Sequence, residues 1–288
     1  MSPRATGPDA WPISTAHASR YEDPLFQIDW DAVDRDCWWL PPDALSLSGV
    51  PEFEALPVAM RRRLSHCEYL HLLQTGLSLE ALFVERLAVL ADRCPDLDRR
   101  AAYLREIREE AGHSLMFVEL IRRSGITLPS ARGVGVRLGR TLGRRLIPAG
   151  SALFWALVVV GEEVPNRLNR RLARGIEHAT LSAVVYRMAT LHARDEASHA
   201  ALARAHCEQS TARLPAWRRA LLSPALSATI ALLVRQIHYS PAWVYESAGL
   251  QPAARWHEAA RRNPIRRSLT RETLAPTLAF LQRAGWRI

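Results

Sequence analysis

The sequence predicts an all-α protein: a four-helix bundle with additional C-terminal helices and an irregular N-terminal arm. Three observations predict it. Val, Ile and Thr are scattered instead of alternating with polar residues, so strand signals are nearly absent. Apolar positions recur at helical spacing through four long stretches, and clusters of Pro, Gly and Asp punctuate them. No shift in composition divides the 288 residues, which suffice for one large core.

The elements follow in order. Residues 1–56 are rich in Pro, Asp and Trp and short of helical periodicity. They predict an arm packed on the surface of the bundle and anchored by Trp30, Trp38 and Trp39, with residues 57–288 as the helical domain. Pro57 suits a first helical turn and opens a helix over about 57–91, which DRCPDLD at 92–98 ends. A second helix covers about 97–124 and stops at Gly125. An Arg- and Gly-rich connection runs to Pro148, followed by a third helix over about 149–174 and a fourth over about 178–209. Ser223 and Pro224 predict the cap and first turn of a fifth helix, about 224–239, and shorter helices are expected near 253–262 and 270–284.

Charge and cysteine usage narrow the function classes. All the basic residues are arginine, and the net charge is +9. The arginines are mixed with acids over helix surfaces except in ARGVGVRLGRTLGRRL, residues 131–146, and no aromatic interleaving or binding motif accompanies them, which speaks against nucleic acid. Cys37, Cys67, Cys94 and Cys207 form no CxxC pair, which predicts packing residues in a reduced, cytoplasmic protein. The apolar run SALFWALVVVG at 151–161 falls short of the roughly 20 residues of a membrane span, and the first twenty residues lack the apolar run of a signal peptide, so no membrane partner is expected.

Chemistry concentrates in two stretches. LHARDEASHA, residues 191–200, carries His192, Glu196 and His199 on one helical stripe with Met188 and Ala203. Such groups are costly to bury unless a partner such as a metal ion satisfies them together. REEAGHSLMF, residues 108–117, carries a second ExxH pair, Glu110 and His113. One such motif alone is more often a surface pair; two on separate long helices are the pattern of a carboxylate-bridged di-metal site, which also requires one inward glutamate from each of the other two helices.

On the first helix Glu80 shares a stripe with Tyr69, Leu73, Phe83 and Leu87, whereas Glu85 lies with His71, Gln74 and Ser78. Glu80 and Glu110 also stand equally far from Pro95 in the intervening turn, so an antiparallel hairpin sets them at one depth. On the third helix the choice lies between Glu162, in line with Trp155, Val158, Asn166 and Asn169, and Glu163, in line with Arg167 and Arg170 on a stripe expected to face solvent. Glu162 is preferred. Pro165 is expected to disturb a helical hydrogen bond at this level. Glu109 and Asp195, each preceding a motif glutamate, could accept the outer N–H of a ligating histidine from the facing helix, with simple solvation as the alternative. His206 lies about 10 Å further along the axis from His199 and is left out. An oxygen-rich set with some imidazole suits iron or manganese better than structural zinc.

The order Glu, ExxH, Glu, then His-x3-Glu-x2-His resembles that of the AurF-like di-iron N-oxygenases, the p-aminobenzoate N-oxygenase family within the ferritin-like superfamily. His192 matches the additional histidine of that family, and DPLFQIDWD at 23–31 is similar to its N-terminal segment, so the resemblance spans about residues 20–285. It implies a ferritin-like fold and metal ligands at Glu80, Glu110, His113, Glu162, His192, Glu196 and His199, holding two iron ions that cycle between Fe2+ and Fe3+. It implies an oxygenase that uses O2 to oxygenate the nitrogen of an arylamine-type small molecule, in secondary metabolism. The same site directed at C–H bonds, as a hydroxylase or desaturase, is the alternative. No flavin or nicotinamide fingerprint occurs, so an external electron donor or reductase is expected. A homodimer is expected as well, and residues 131–146 are a candidate docking segment for an acidic carrier protein, with Arg144 and Arg145 as its test positions.

Overall fold

Four long helices pair as two antiparallel hairpins. The computed structural model describes residues 21–127, 129, 147–174 and 181–288. Helix α1 (Val58–Arg93) turns through Cys94 and Pro95, where the residue before proline is pushed out of helical conformation, into α2 (Leu97–Ser124). Asp96 caps α2 by accepting from Arg99 N at 3.0 Å, and Gly125 ends it in the left-handed conformation at φ 62°. Helix α3 (Ala152–Arg174) pairs with α4 (Ala183–Ala212). Among the described residues there is no strand; one isolated bridge joins Trp38 to Leu181 at the foot of α4. The candidate carrier-docking segment at 131–146 lies outside the described residues.

Four further helices follow: α5 (Ala216–His238), α6 (Ala242–Ser247), α7 (Ala253–Arg262) and α8 (Pro264–Arg283). Helix α5 begins well before the expected start at Pro224, because Pro215 already supplies an entry to the helix and Pro224 is accommodated inside it. Ser223 is no cap: it donates to Arg219 O at 2.8 Å and accepts from Arg287 N at 3.0 Å, tying α5 to the C-terminal residues. The stretch Ala216–Ser247 reaches a mean hydropathy of 1.5 and is long and apolar enough to cross a membrane, which the apolar run at 151–161 did not foretell. Leu226, Ile230, Val234 and Ile237 of this stretch pack into the core with α3, so one of its faces is spent inside the bundle.

The arm does more than lie on the surface. Trp39 and Leu47 are fully buried, and with Leu45 and Phe53 they pack among Leu64 and Leu70 of α1 and Tyr245 of α6. Polar ties hold it there: Glu68 of α1 accepts from Ser46 N at 3.1 Å, and Asn263 Nδ2 donates to Ser46 O and Ser48 O at 3.0 and 2.9 Å. Trp38–Leu40, Ala44–Leu47 and Phe53 are therefore core, wedged between α1 and the C-terminal helices. Trp30 is half-buried and donates to Leu25 O at 2.8 Å.

Candidate metal centre

All seven expected side chains meet at one level between the four long helices. Glu80 comes from α1, Glu110 and His113 from α2, Glu162 from α3, and His192, Glu196 and His199 from α4. Their donor atoms form two neighbouring groups, Glu80–His113–His192 and Glu110–Glu162–Glu196–His199, and within each group the atoms lie no more than 4.8 Å apart. His113 joins the two: its Nδ1 is 3.6 Å from Glu110 Oε2 and 3.4 Å from Glu196 Oε1. His199 Nδ1 stands 3.2 Å from Glu110 Oε1 and 3.7 Å from Glu196 Oε1. His192 enters by its other nitrogen, with Nε2 2.9 Å from Glu196 Oε1 and 3.9 Å from Glu80 Oε1. Glu85 is half-buried and belongs to neither group.

The outer nitrogens of two of these rings face carboxylates on the opposite hairpin. His113 Nε2 is 3.3 Å from Asp195 Oδ2, and His199 Nε2 is 2.9 Å from Glu109 Oε2. In the neutral ring a proton held on Nε2 leaves the Nδ1 lone pair directed inward. Both Nδ1 atoms are buried and neither has a hydrogen-bond partner. In the neutral ring each would be an orphaned buried acceptor beside carboxylates, which is costly on its own and fits a bound cation.

Without a cation the cluster balances its charge with protons. Burial, followed by the neighbouring Glu110, holds the Glu80 carboxyl well above the usual range, and burial followed by Glu196 does the same to Glu162. Burial opposes charge on His113, yet Asp195 and Glu110 outweigh it and raise the imidazole to about 10. His199 is likewise raised against burial, by Glu109, Glu110 and Glu196. Glu196 is depressed against burial by Glu162 and His192, and Glu110 by His113 and His199.

Glu163 is a correction. It was expected on a solvent-facing stripe, but it is buried: Arg204 of α4 bonds its Oε1, and Thr277 of α8 donates to its Oε2 at 2.6 Å. The reason is tertiary, since α8 packs across α3 and covers that face.

Three further residues touch the site without having been singled out. Ser114 donates to Glu80 Oε2 at 2.5 Å, and nothing in a lone serine after the motif announces it. Asn169 Nδ2 donates to His192 Nδ1 at 2.8 Å. Glu106 lies one turn before Glu110, a spacing that could have flagged it; burial lifts its carboxyl to about 7, and it lines a small pocket with Glu110, Glu162 and His199.

A second, larger cavity shares Glu110 and Glu162 with that pocket. Its walls are mostly apolar, with Phe83 and Phe117 facing Gly76, Gly161 and Met188. The two phenylalanines use the glycines as seats: a Cβ on Gly161 would stand 2.5 Å from Phe83 Cζ, and one on Gly76 2.8 Å from Phe117 Cε2. Pro165 also lines this cavity, and having no N–H it leaves the Gly161 carbonyl without its helical donor.

The chain is similar to two mycobacterial proteins that carry no assigned activity, uncharacterized protein Mb0909 of Mycobacterium bovis and uncharacterized protein Rv0885 of Mycobacterium tuberculosis. To each it is 24% identical over 242 residues, 81% of this chain and 70% of the relative. The description "P-aminobenzoate N-oxygenase AurF" matches residues 12–285, nearly the whole length, and the helical bundle is that family's ferritin-like fold. The chain belongs to the p-aminobenzoate N-oxygenase AurF family.

Proposed function

We propose that this protein is a non-haem di-iron oxygenase that uses O2 to oxygenate the nitrogen of an amine-bearing, arylamine-type small molecule. The observation that carries the reading is the pair of buried, unpartnered Nδ1 atoms of His113 and His199, set among Glu110 and Glu196. Glu80, Glu110, His113, Glu162, His192, Glu196 and His199 are the ligands in this reading, and the family membership supports iron over manganese. The bound ions would supply the redox chemistry.

The chain's own groups do the rest. Glu109 and Asp195 fix the tautomers of His199 and His113, the apolar cavity excludes water, and Phe83 and Phe117 present flat walls to an aromatic ring. Electrons come from an external donor in a cytoplasmic setting, and the product belongs to secondary metabolism.

The test is anaerobic loading of the full-length protein with Fe2+, followed by O2 and a panel of arylamines and alkylamines with mass analysis of the products. Two irons per chain and products carrying oxygen on nitrogen are expected, with both iron binding and turnover lost in Glu110→Ala and Glu196→Ala. Oxygen placed on carbon would assign the site to hydroxylation, and fewer than two irons with no O2 uptake would overturn the proposal.

A further inference from the structure

Resting on the reading that these seven side chains hold metal, we infer that Asn169 is the positioning residue for His192, the amide that determines which nitrogen of that ring faces the site. The three histidines are not held alike. His113 and His199 put Nε2 against carboxylates, which as anions only accept, so the neutral tautomer of each ring, with the Nδ1 lone pair inward, is fixed by its partner. His192 is reversed: its inward atom is Nε2, and its outer Nδ1 meets an amide N–H of Asn169 at 2.8 Å.

That arrangement has a definite consequence for the proton. A donor at Nδ1 consumes the lone pair there, which leaves the N–H of the neutral ring on Nε2, aimed at Glu196 Oε1 2.9 Å away. In this state His192 donates inward and has no lone pair to offer. For Nε2 to bind a cation the proton must move to Nδ1 and find an acceptor there. A half-turn of the Asn169 amide puts Oδ1 where Nδ2 stood and provides one without moving the helix. Asparagine is suited to both states because it carries donor and acceptor on one planar group. Its position is enclosed: Asn169 is buried on α3, facing His192 on α4. His192 is thus a conditional ligand, engaged when the amide turns, whereas His113 and His199 face the site by Nδ1 with no such turn required.

The experiment is a Co2+ titration of the metal-free full-length protein, followed by its visible ligand-field absorption, for wild type, Asn169→Leu, Asn169→Asp, His192→Ala and the Asn169→Leu/His192→Ala pair. Loss of the acceptor in Asn169→Leu is expected to weaken one of the two Co2+ sites by about 10–100-fold and leave the other unchanged. Asn169→Asp, a fixed acceptor, is expected to bind at least as tightly as wild type. In the His192→Ala background Asn169→Leu should add nothing, because it acts through that ring. Wild-type affinity at both sites in Asn169→Leu, a loss in Asn169→Asp, or a further loss in the double variant would each overturn the inference while leaving the metal reading intact. A wild-type protein that takes up no Co2+ would instead remove the metal reading, and this inference with it.

Discussion

His199 Nε2 lies 2.9 Å from Glu109 Oε2 on the facing helix, and Glu109 immediately precedes the glutamate whose carboxylate stands 3.2 Å from the Nδ1 of that same ring. Asp195 and His113 repeat the arrangement from the other hairpin. Each ExxH helix therefore supplies one histidine and the acceptor that orients its neighbour's histidine. Neutralising an acceptor, in Glu109→Gln or Asp195→Asn, is expected to lower metal affinity about 10–100-fold with little change in fold. Metal titration alongside circular dichroism checks this; unchanged affinity in both variants would show that the carboxylates only solvate the helix surface.

Proton release gives the second prediction. The ion-free cluster carries protons on Glu80 and Glu162, raised by burial first, and on His113 and His199, raised by their carboxylate partners against burial. Binding a divalent cation through these groups requires their deprotonation, so the ion-free state binds more protons than the loaded one. By linkage, affinity then rises with pH and falls as the site is acidified. With His113 titrating at about 10, the rise should continue through neutral pH and beyond. Calorimetric titration in buffers of different ionisation enthalpy measures the protons released, and a pH-independent affinity would contradict the assignment of these groups as ligands.

Glu162 and Glu163 are adjacent in sequence and are expected to separate cleanly by mutation. Glu163→Ala leaves the buried Thr277 hydroxyl and the Arg204 guanidinium without their carboxylate, which should cost about 1–3 kcal/mol of stability with metal binding retained. Glu162→Ala should do the opposite, losing metal with the smaller change in stability. Denaturant unfolding and metal analysis on both variants distinguish the two roles, and metal loss in Glu163→Ala alone would reverse them.

What could be read from the residues beforehand, and what could not, follows from the range of the interactions. The ExxH pairs are local, because three residues on a helix fix the relative direction of two side chains, and the depth match of Glu80 with Glu110 depends on a single tight turn at Pro95. Glu163 was misplaced because its burial depends on α8, about a hundred residues later, whose packing no periodicity in α3 encodes. The start of α5 was misplaced because Pro215 and Pro224 both suit a first turn, and only the tertiary ties of Ser223 decide between them. Asn169 stood on the correct stripe, but a hydrogen bond to another helix is invisible until the two helices are brought together.

The cavity walls give the last prediction. The cavity beside Glu110 and Glu162 measures about 70 Å³, less than half of the roughly 150 Å³ that accommodates benzene in an engineered protein core. A monocyclic arylamine therefore enters only if a wall side chain swings. Phe83 is placed to do so: it lines both this cavity and the smaller pocket that holds Glu106, and its ring leans on Gly161. A methyl at position 161 would meet the ring at 2.5 Å and push it off its seat into one of the two spaces. Gly161→Ala should thus bind two metal ions normally yet lose about tenfold or more in arylamine affinity. Phe83→Ala should join the two spaces and admit bicyclic amines, at a cost of about 3–5 kcal/mol in stability. Equilibrium binding of mono- and bicyclic arylamines to the metal-loaded variants reads both effects. Unaltered binding in Gly161→Ala would mean that the substrate approaches the centre from another side.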